Sequence, residues 1–114
     1  MDYEKKCVEA CLACAIACER CASMCLQEKD VKKLVNCILL DRECAAICFA
    51  TAKILTVGAD HYQILARTCE ELCNACGDEC GKHADMAHCK ECAEACRHCA
   101  EMCRNMMDSD FSIV

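Results

Sequence analysis

Apolar positions recur along this chain at alternating gaps of four and three residues, or of seven where one position is skipped. The runs are 7, 11, 14, 18, 21, 25, then 37, 44, 48, then 69, 73, 76, 80, and finally 89, 92, 96, 99, 103. A mean spacing of 3.5 is the a/d repeat of helices packed against one another, so each run marks the inward stripe of one helix. Punctuation falls between the runs. Asp2, Asp30, Asp60 and Asp85 are candidate N-caps, while Gly58 and Gly81 follow the second and third runs as candidate stops. The pattern predicts helices over about 2–27, 31–56, 60–80 and 85–107, each about 30–40 Å long at 1.5 Å per residue. Short links make sequential helices antiparallel. The expected fold is all-α, an up-down-up-down antiparallel four-helix bundle over residues 1–108, with 109–114 as a short C-terminal tail.

The residue filling all of these positions is cysteine, 18 times in 114 residues. Proline is absent and glycine occurs three times, which excludes the turn-rich disulfide and zinc-ribbon scaffolds. A hydrophobic content of 56% is too high for a chain that folds only around metal. The formal charge is −6, with no basic patch and only two Tyr and two Phe, so no nucleic-acid partner is expected. No apolar run is long enough to span a bilayer. The N-terminus, Met1-Asp2-Tyr3-Glu4-Lys5-Lys6-Cys7, has no secretory h-region, so a cytoplasmic location with reduced thiols is expected.

Under those conditions the cysteines have a narrow set of uses. As filler they are poor, since Leu and Ile pack such stripes better. Disulfides fit badly, because i,i+4 Cβ atoms lie about 5–6 Å apart, whereas a bridge needs about 3.8 Å. Metal binding remains, and charge selects the metal. Zn²⁺ on four thiolates leaves −2 at every site, a burden repeated along a narrow core. A monovalent soft ion replaces one thiol proton and leaves the core charge unchanged, which favours multiple Cu(I) ions at about one per cysteine. In two-coordinate form each needs sulfurs about 4–5 Å apart, twice a metal–thiolate bond. A zinc reservoir, and a redox or iron–sulfur electron carrier, stand as alternatives, although the linear stripes lack the loop spacing typical of clusters.

The two ends of the bundle differ. One gathers Cys25, Cys37, Cys80 and Cys89 with His83, Asp85, Met86 and His88, and Asp41 takes a stripe position one turn in from Cys37. We expect copper to enter there, with His83, His88 and Met86 as accessory ligands and Asp41 close to the mouth; ordinary loop and capping roles are the competing reading. His83-x4-His88-Cys89-x2-Cys92 also reads as a zinc site, though without a second knuckle. The opposite end collects Tyr3, Leu55, Tyr62, Leu65 and Met106 as an apolar plug. His61 and His98 lie off the stripes and are expected in solvent, and Met24 and Met102 are expected as filler. No nucleophile, base and orienting group come together, so no catalysis is expected. Outside its stripe the second helix carries Ile38, Leu39, Leu40, Ile47, Phe49 and Ile54, which predicts a homo-oligomer packed through that helix.

Several stretches together resemble a known family. These are Cys7-x3-Cys11-x2-Cys14-x3-Cys18-x2-Cys21-x3-Cys25, Leu40-Asp41-Arg42-Glu43-Cys44-Ala45-x2-Cys48, Cys73-x2-Cys76-x3-Cys80-Gly81-Lys82-His83 and His88-Cys89-x2-Cys92-x3-Cys96-x2-Cys99-x3-Cys103. The chain resembles the bacterial copper storage proteins, specifically their cytosolic branch. The resemblance implies many Cu(I) ions held by core thiolates and tetramers of bundles; a copper donor or acceptor protein is a further expected partner. The third helix departs from the pattern, since its cysteines begin only at Cys69, so copper is expected to be absent near Tyr62 and Leu65.

Overall fold

A computed structural model describes residues 2–58 and 60–113, with side chains as far as Ser109. Helix α1 spans Tyr3–Cys25, a 3-10 turn at Val31–Leu34 leads into α2 at Val35–Val57, α3 spans Tyr62–Gly81, and α4 spans Ala87–Ile113. Each helix packs chiefly on its two sequence neighbours, and α4 closes the ring against α1, giving an antiparallel bundle 51 × 20 × 17 Å in extent. The backbone of α4 continues through Ile113, so the expected tail begins as helix; no proline or glycine after Cys103 interrupts it.

Capping follows the expected residues only in part. Asp2 accepts from the Lys5 amide at 2.9 Å, as an N-cap should. Asp30 caps nothing through its side chain; its carboxylate pairs with Lys33 at 3.2 Å, beside the 3-10 turn. At α3 the capping position is His61 rather than Asp60, and α4 begins two residues after Asp85. Gly58 ends α2 in the left-handed region at φ 78, donating its amide to the carbonyls of Ile54 and Leu55. Gly81 does not take that role. It remains helical, and consecutive turns through Lys82, His83 and Met86 carry the chain directly into α4.

All 18 cysteines are fully buried, and none is bridged. Beside them lie Ala10, Ala15, Ala22, Ala45, Ala52, Ala66, Ala93 and Ala100. These small neighbours let the helices approach closely enough for the thiols to meet on the axis. Gly77 also faces α4, though a Cβ there would make only ordinary contacts, 3.4 Å from Cys96 Cβ and 3.6 Å from the Ala93 carbonyl oxygen.

Candidate metal centre

Helical register converts the four stripes into one axial column of sulfur. Every cysteine Sγ has another Sγ at 3.4 to 4.0 Å. Pairs within a helix, such as Cys44 and Cys48 at 3.9 Å, alternate with pairs between helices, such as Cys44 and Cys73 at 3.5 Å and Cys37 and Cys80 at 3.4 Å. These separations are shorter than the 4–5 Å expected for isolated linear copper sites, because the Sγ atoms converge on the axis from four sides. They match the edges of three- and four-coordinate thiolate sites, about 4 Å and 3.8 Å for metal–sulfur bonds of about 2.3 Å. Groups with all ligand atoms within 4.8 Å of one another include Cys11, Cys69, Cys99 and Cys103; Cys14, Cys18, Cys44 and Cys96; and Cys18, Cys76, Cys92 and Cys96. Cys14, Cys18, Cys44 and Cys96 each belong to more than one group, so the column suits shared, multinuclear metal better than separate ions.

Asp41 sits inside this column rather than at its mouth. Fully buried, it accepts at Oδ1 from the thiols of Cys76 at 3.2 Å, Cys80 at 3.3 Å and Cys92 at 3.2 Å, and Oδ2 faces Cys37 at 3.9 Å. Hydrogen bonds, not water, make its burial tolerable. Burial is still the larger influence and, with the Cys92 sulfur beside it, pushes the carboxyl up to about 8. The thiols shift one another's acidity through these contacts. The contact with Cys103 pulls Cys7 down to about 4, and the contact with Cys21 pulls Cys37 down to about 3. Contacts with neighbouring thiols also lower Cys14, Cys44, Cys69 and Cys92, and raise Cys11, Cys18 and Cys48. At the mouth, desolvation pushes Cys25 up to about 11 and raises Cys89.

The histidines divide in a way the spacing did not foretell. His88 is buried, and its Nδ1 lies 3.5 Å from Cys89, 3.6 Å from Cys21 and 3.8 Å from Cys25. Among the described residues its Nε2 has no hydrogen-bond partner, so the ring's polar contacts are those of Nδ1 with the three thiols. His83 instead pairs with Glu79 at 3.1 Å and lines a surface cleft of about 720 Å³ with Asp85, Met86 and Asp30. The zinc constellation read from sequence is therefore not assembled: His83 turns outward, and Cys92 bonds Asp41 and Cys18. His61 and His98 are exposed. Met86 and Met102 are partly buried against the core, while Met24, expected as filler, is 45% exposed.

At the opposite end Thr51 and Ala66, both fully buried, occupy stripe positions where cysteine would extend the column. The Thr51 hydroxyl donates to the carbonyls of Ile47 at 2.7 Å and Leu65 at 3.4 Å. Both residues were legible as stripe positions from the heptad phase alone, but neither carries a metal-ligating group to draw attention. Leu55 is buried below them, and Tyr62 and Met106 pack partly against the core.

A bundle whose axis is a continuous run of reduced thiols defines a class of protein that holds soft metal ions in bulk. The family model for the copper storage protein matches residues 1–108, and the chain belongs to that family. An uncharacterized cysteine-rich protein of Bacillus subtilis, YhjQ, is 45% identical over 94 residues, covering 82% of this chain and 86% of its own. A cytosolic copper storage protein from Streptomyces lividans, solved with five coppers, superposes with a TM-score of 0.91 at 41% identity, over 94% of this chain and 93% of its own. The Cu(I)-bound copper storage protein BsCsp3, from Bacillus subtilis, gives 0.87 at 45% identity, over 91% and 97%. Among the described residues no helix is long and apolar enough to cross a membrane.

Proposed function

We propose that this chain is a cytosolic store and buffer for Cu(I), binding about one ion per cysteine through all 18 core thiolates, without turnover chemistry. One observation carries the reading: every thiol is buried, unbridged and in contact with another thiol along one axis. Each Cu(I) that displaces one thiol proton leaves the core charge unchanged as it fills. Four-thiolate zinc sites would instead accumulate −2 apiece. Entry is at the His88 end. His83 and Met86 in the outer cleft offer the first soft contacts, His88 passes the ion to Cys21, Cys25 and Cys89, and Asp41 orients the thiols of Cys76, Cys80 and Cys92 through the hydrogen bonds they donate to it. At the opposite end Thr51, Ala66 and Leu55 supply no thiolate, and Cys7 and Cys103 close the column. A copper donor or acceptor protein meets the His83 end, and the bundles associate as a homo-oligomer, a tetramer, through α2.

The test is anaerobic titration of the reduced apoprotein with Cu(I) against a competing chelator. About one tightly held copper per cysteine is expected; saturation near four metals per chain would overturn the proposal. Followed in time, the His83→Ala/His88→Ala variant should fill to the same capacity but more slowly, and an unchanged rate removes the entry role.

A further inference from the structure

Of the metal-sized clusters in the core, the one at the mouth differs in kind. Cys21, Cys25, His88 and Cys89 have all their ligand atoms within 4.8 Å of one another. All six pairs are also in direct contact. The sulfur–sulfur separations are 3.9 Å for Cys21 and Cys25, 3.8 Å for Cys21 and Cys89, and 3.9 Å for Cys25 and Cys89. The distances from His88 Nδ1 to Cys89, Cys21 and Cys25 are 3.5, 3.6 and 3.8 Å. A tetrahedral ion with metal–sulfur bonds of about 2.3 Å and metal–nitrogen bonds of about 2.05 Å has S···S edges of about 3.8 Å and S···N edges of about 3.55 Å. The mouth is thus an assembled S₃N tetrahedron.

Neighbouring four-cysteine groups are less regular. In Cys14, Cys18, Cys44 and Cys96, for example, hydrogen-bonding contacts join Cys14 to the other three and Cys18 to Cys96, while Cys44 makes none to Cys18 or Cys96. Charge separates the two kinds of site further. A divalent ion on three thiolates and a neutral imidazole carries −1, against −2 on four thiolates, and His88 lies at the rim where desolvation is least complete. A two- or three-coordinate Cu(I) leaves at least one of the four ligands unused. A tetrahedral divalent ion of the zinc class uses all of them.

We infer that Cys21, Cys25, His88 and Cys89 form a distinct site for one Zn²⁺ ion, which holds the mouth closed to Cu(I) until copper displaces it. Binding of zinc stands apart from the storage reading; the closing of the mouth rests on it. Binding releases the protons of three thiols, with no change in oxidation state.

The experiment uses reduced, full-length apoprotein under anaerobic conditions. Co²⁺ is titrated first as a visible probe of tetrahedral thiolate sites, then displaced by Zn²⁺, and X-ray absorption is recorded at one equivalent of zinc. One tight equivalent with three sulfurs and one nitrogen is expected. His88→Ala should weaken it by more than about 100-fold, beyond the loss typical of an outer-shell partner. Four-sulfur coordination, or cobalt spectra unchanged by His88→Ala, would overturn the site. Zinc-loaded and zinc-free protein are then compared for Cu(I) uptake, where loss of the initial fast phase with unchanged final capacity is expected. An unchanged fast phase overturns the closing of the mouth. Failure of the storage reading would be seen separately, as low copper capacity in the zinc-free protein.

Discussion

Asp41 shows how one residue can set the chemistry around it. Its place in the stripe was readable from the spacing 37, 41, 44, and so was the cost of a carboxylate there. Its partners were not, because Cys76, Cys80 and Cys92 come from α3 and α4 and meet it only when the bundle closes. The raised carboxyl gives a signed prediction. Between the ordinary carboxylate range and about 8, the folded apoprotein holds a proton that the unfolded chain has released. Stability from this group is therefore fully present at acid pH and lost as pH rises through that window. Denaturation of the reduced apoprotein at several pH values should show this decline, and Asp41→Asn should flatten it. His88 teaches the complementary lesson: its sequence neighbours mark a helix start, and only the turn through Met86 aims the ring inward.

At the scale of the helices, glycine is used in two opposite ways. Gly58 has open space around a would-be Cβ but a φ of 78, so Gly58→Ala should cost about 1–2 kcal/mol. Gly77 is helical, and an added Cβ would make ordinary contacts at 3.4 and 3.6 Å. Gly77→Ala should therefore be neutral or stabilise by up to about 1 kcal/mol, through the helix preference of alanine. Chemical denaturation of the two apo variants measures both signs. The stripes placed all four helices because a 3.5-residue repeat has only one structural meaning over such lengths. The helix starts were less legible, since an aspartate near a boundary signals a cap without fixing which turn it caps. Asp30 pairs with Lys33, and the starts of α3 and α4 lie beyond Asp60 and Asp85.

For the whole molecule, the length of the sulfur column sets the capacity. Thr51 and Ala66 end it on α2 and α3 at the level that α1 and α4 reach with Cys7 and Cys103. Thr51→Cys with Ala66→Cys should raise Cu(I) binding by about two ions per chain at one per thiol, read by the same chelator competition; unchanged capacity would place the limit elsewhere. The outer surface points to association. Leu39 is 54% and Phe49 47% exposed on α2, and Leu12 and Ile16 on α1 extend the apolar face beyond the helix expected from sequence. Ile38, Leu40 and Ile47 pack partly against the bundle's own core. Leu39→Glu with Phe49→Glu should convert the oligomer to monomers by light scattering while leaving copper capacity intact.

The sequence by itself determined the helices, their inward faces and the thiol character of the core, because heptad phase acts locally and cysteine recurs along every stripe. Tertiary structure decided which thiols touch, at what separation, and what stands among them. The sulfur contacts between helices, the three thiols around Asp41 and the tetrahedron at His88 bring together residues from different helices, and no spacing along one helix encodes a distance to another.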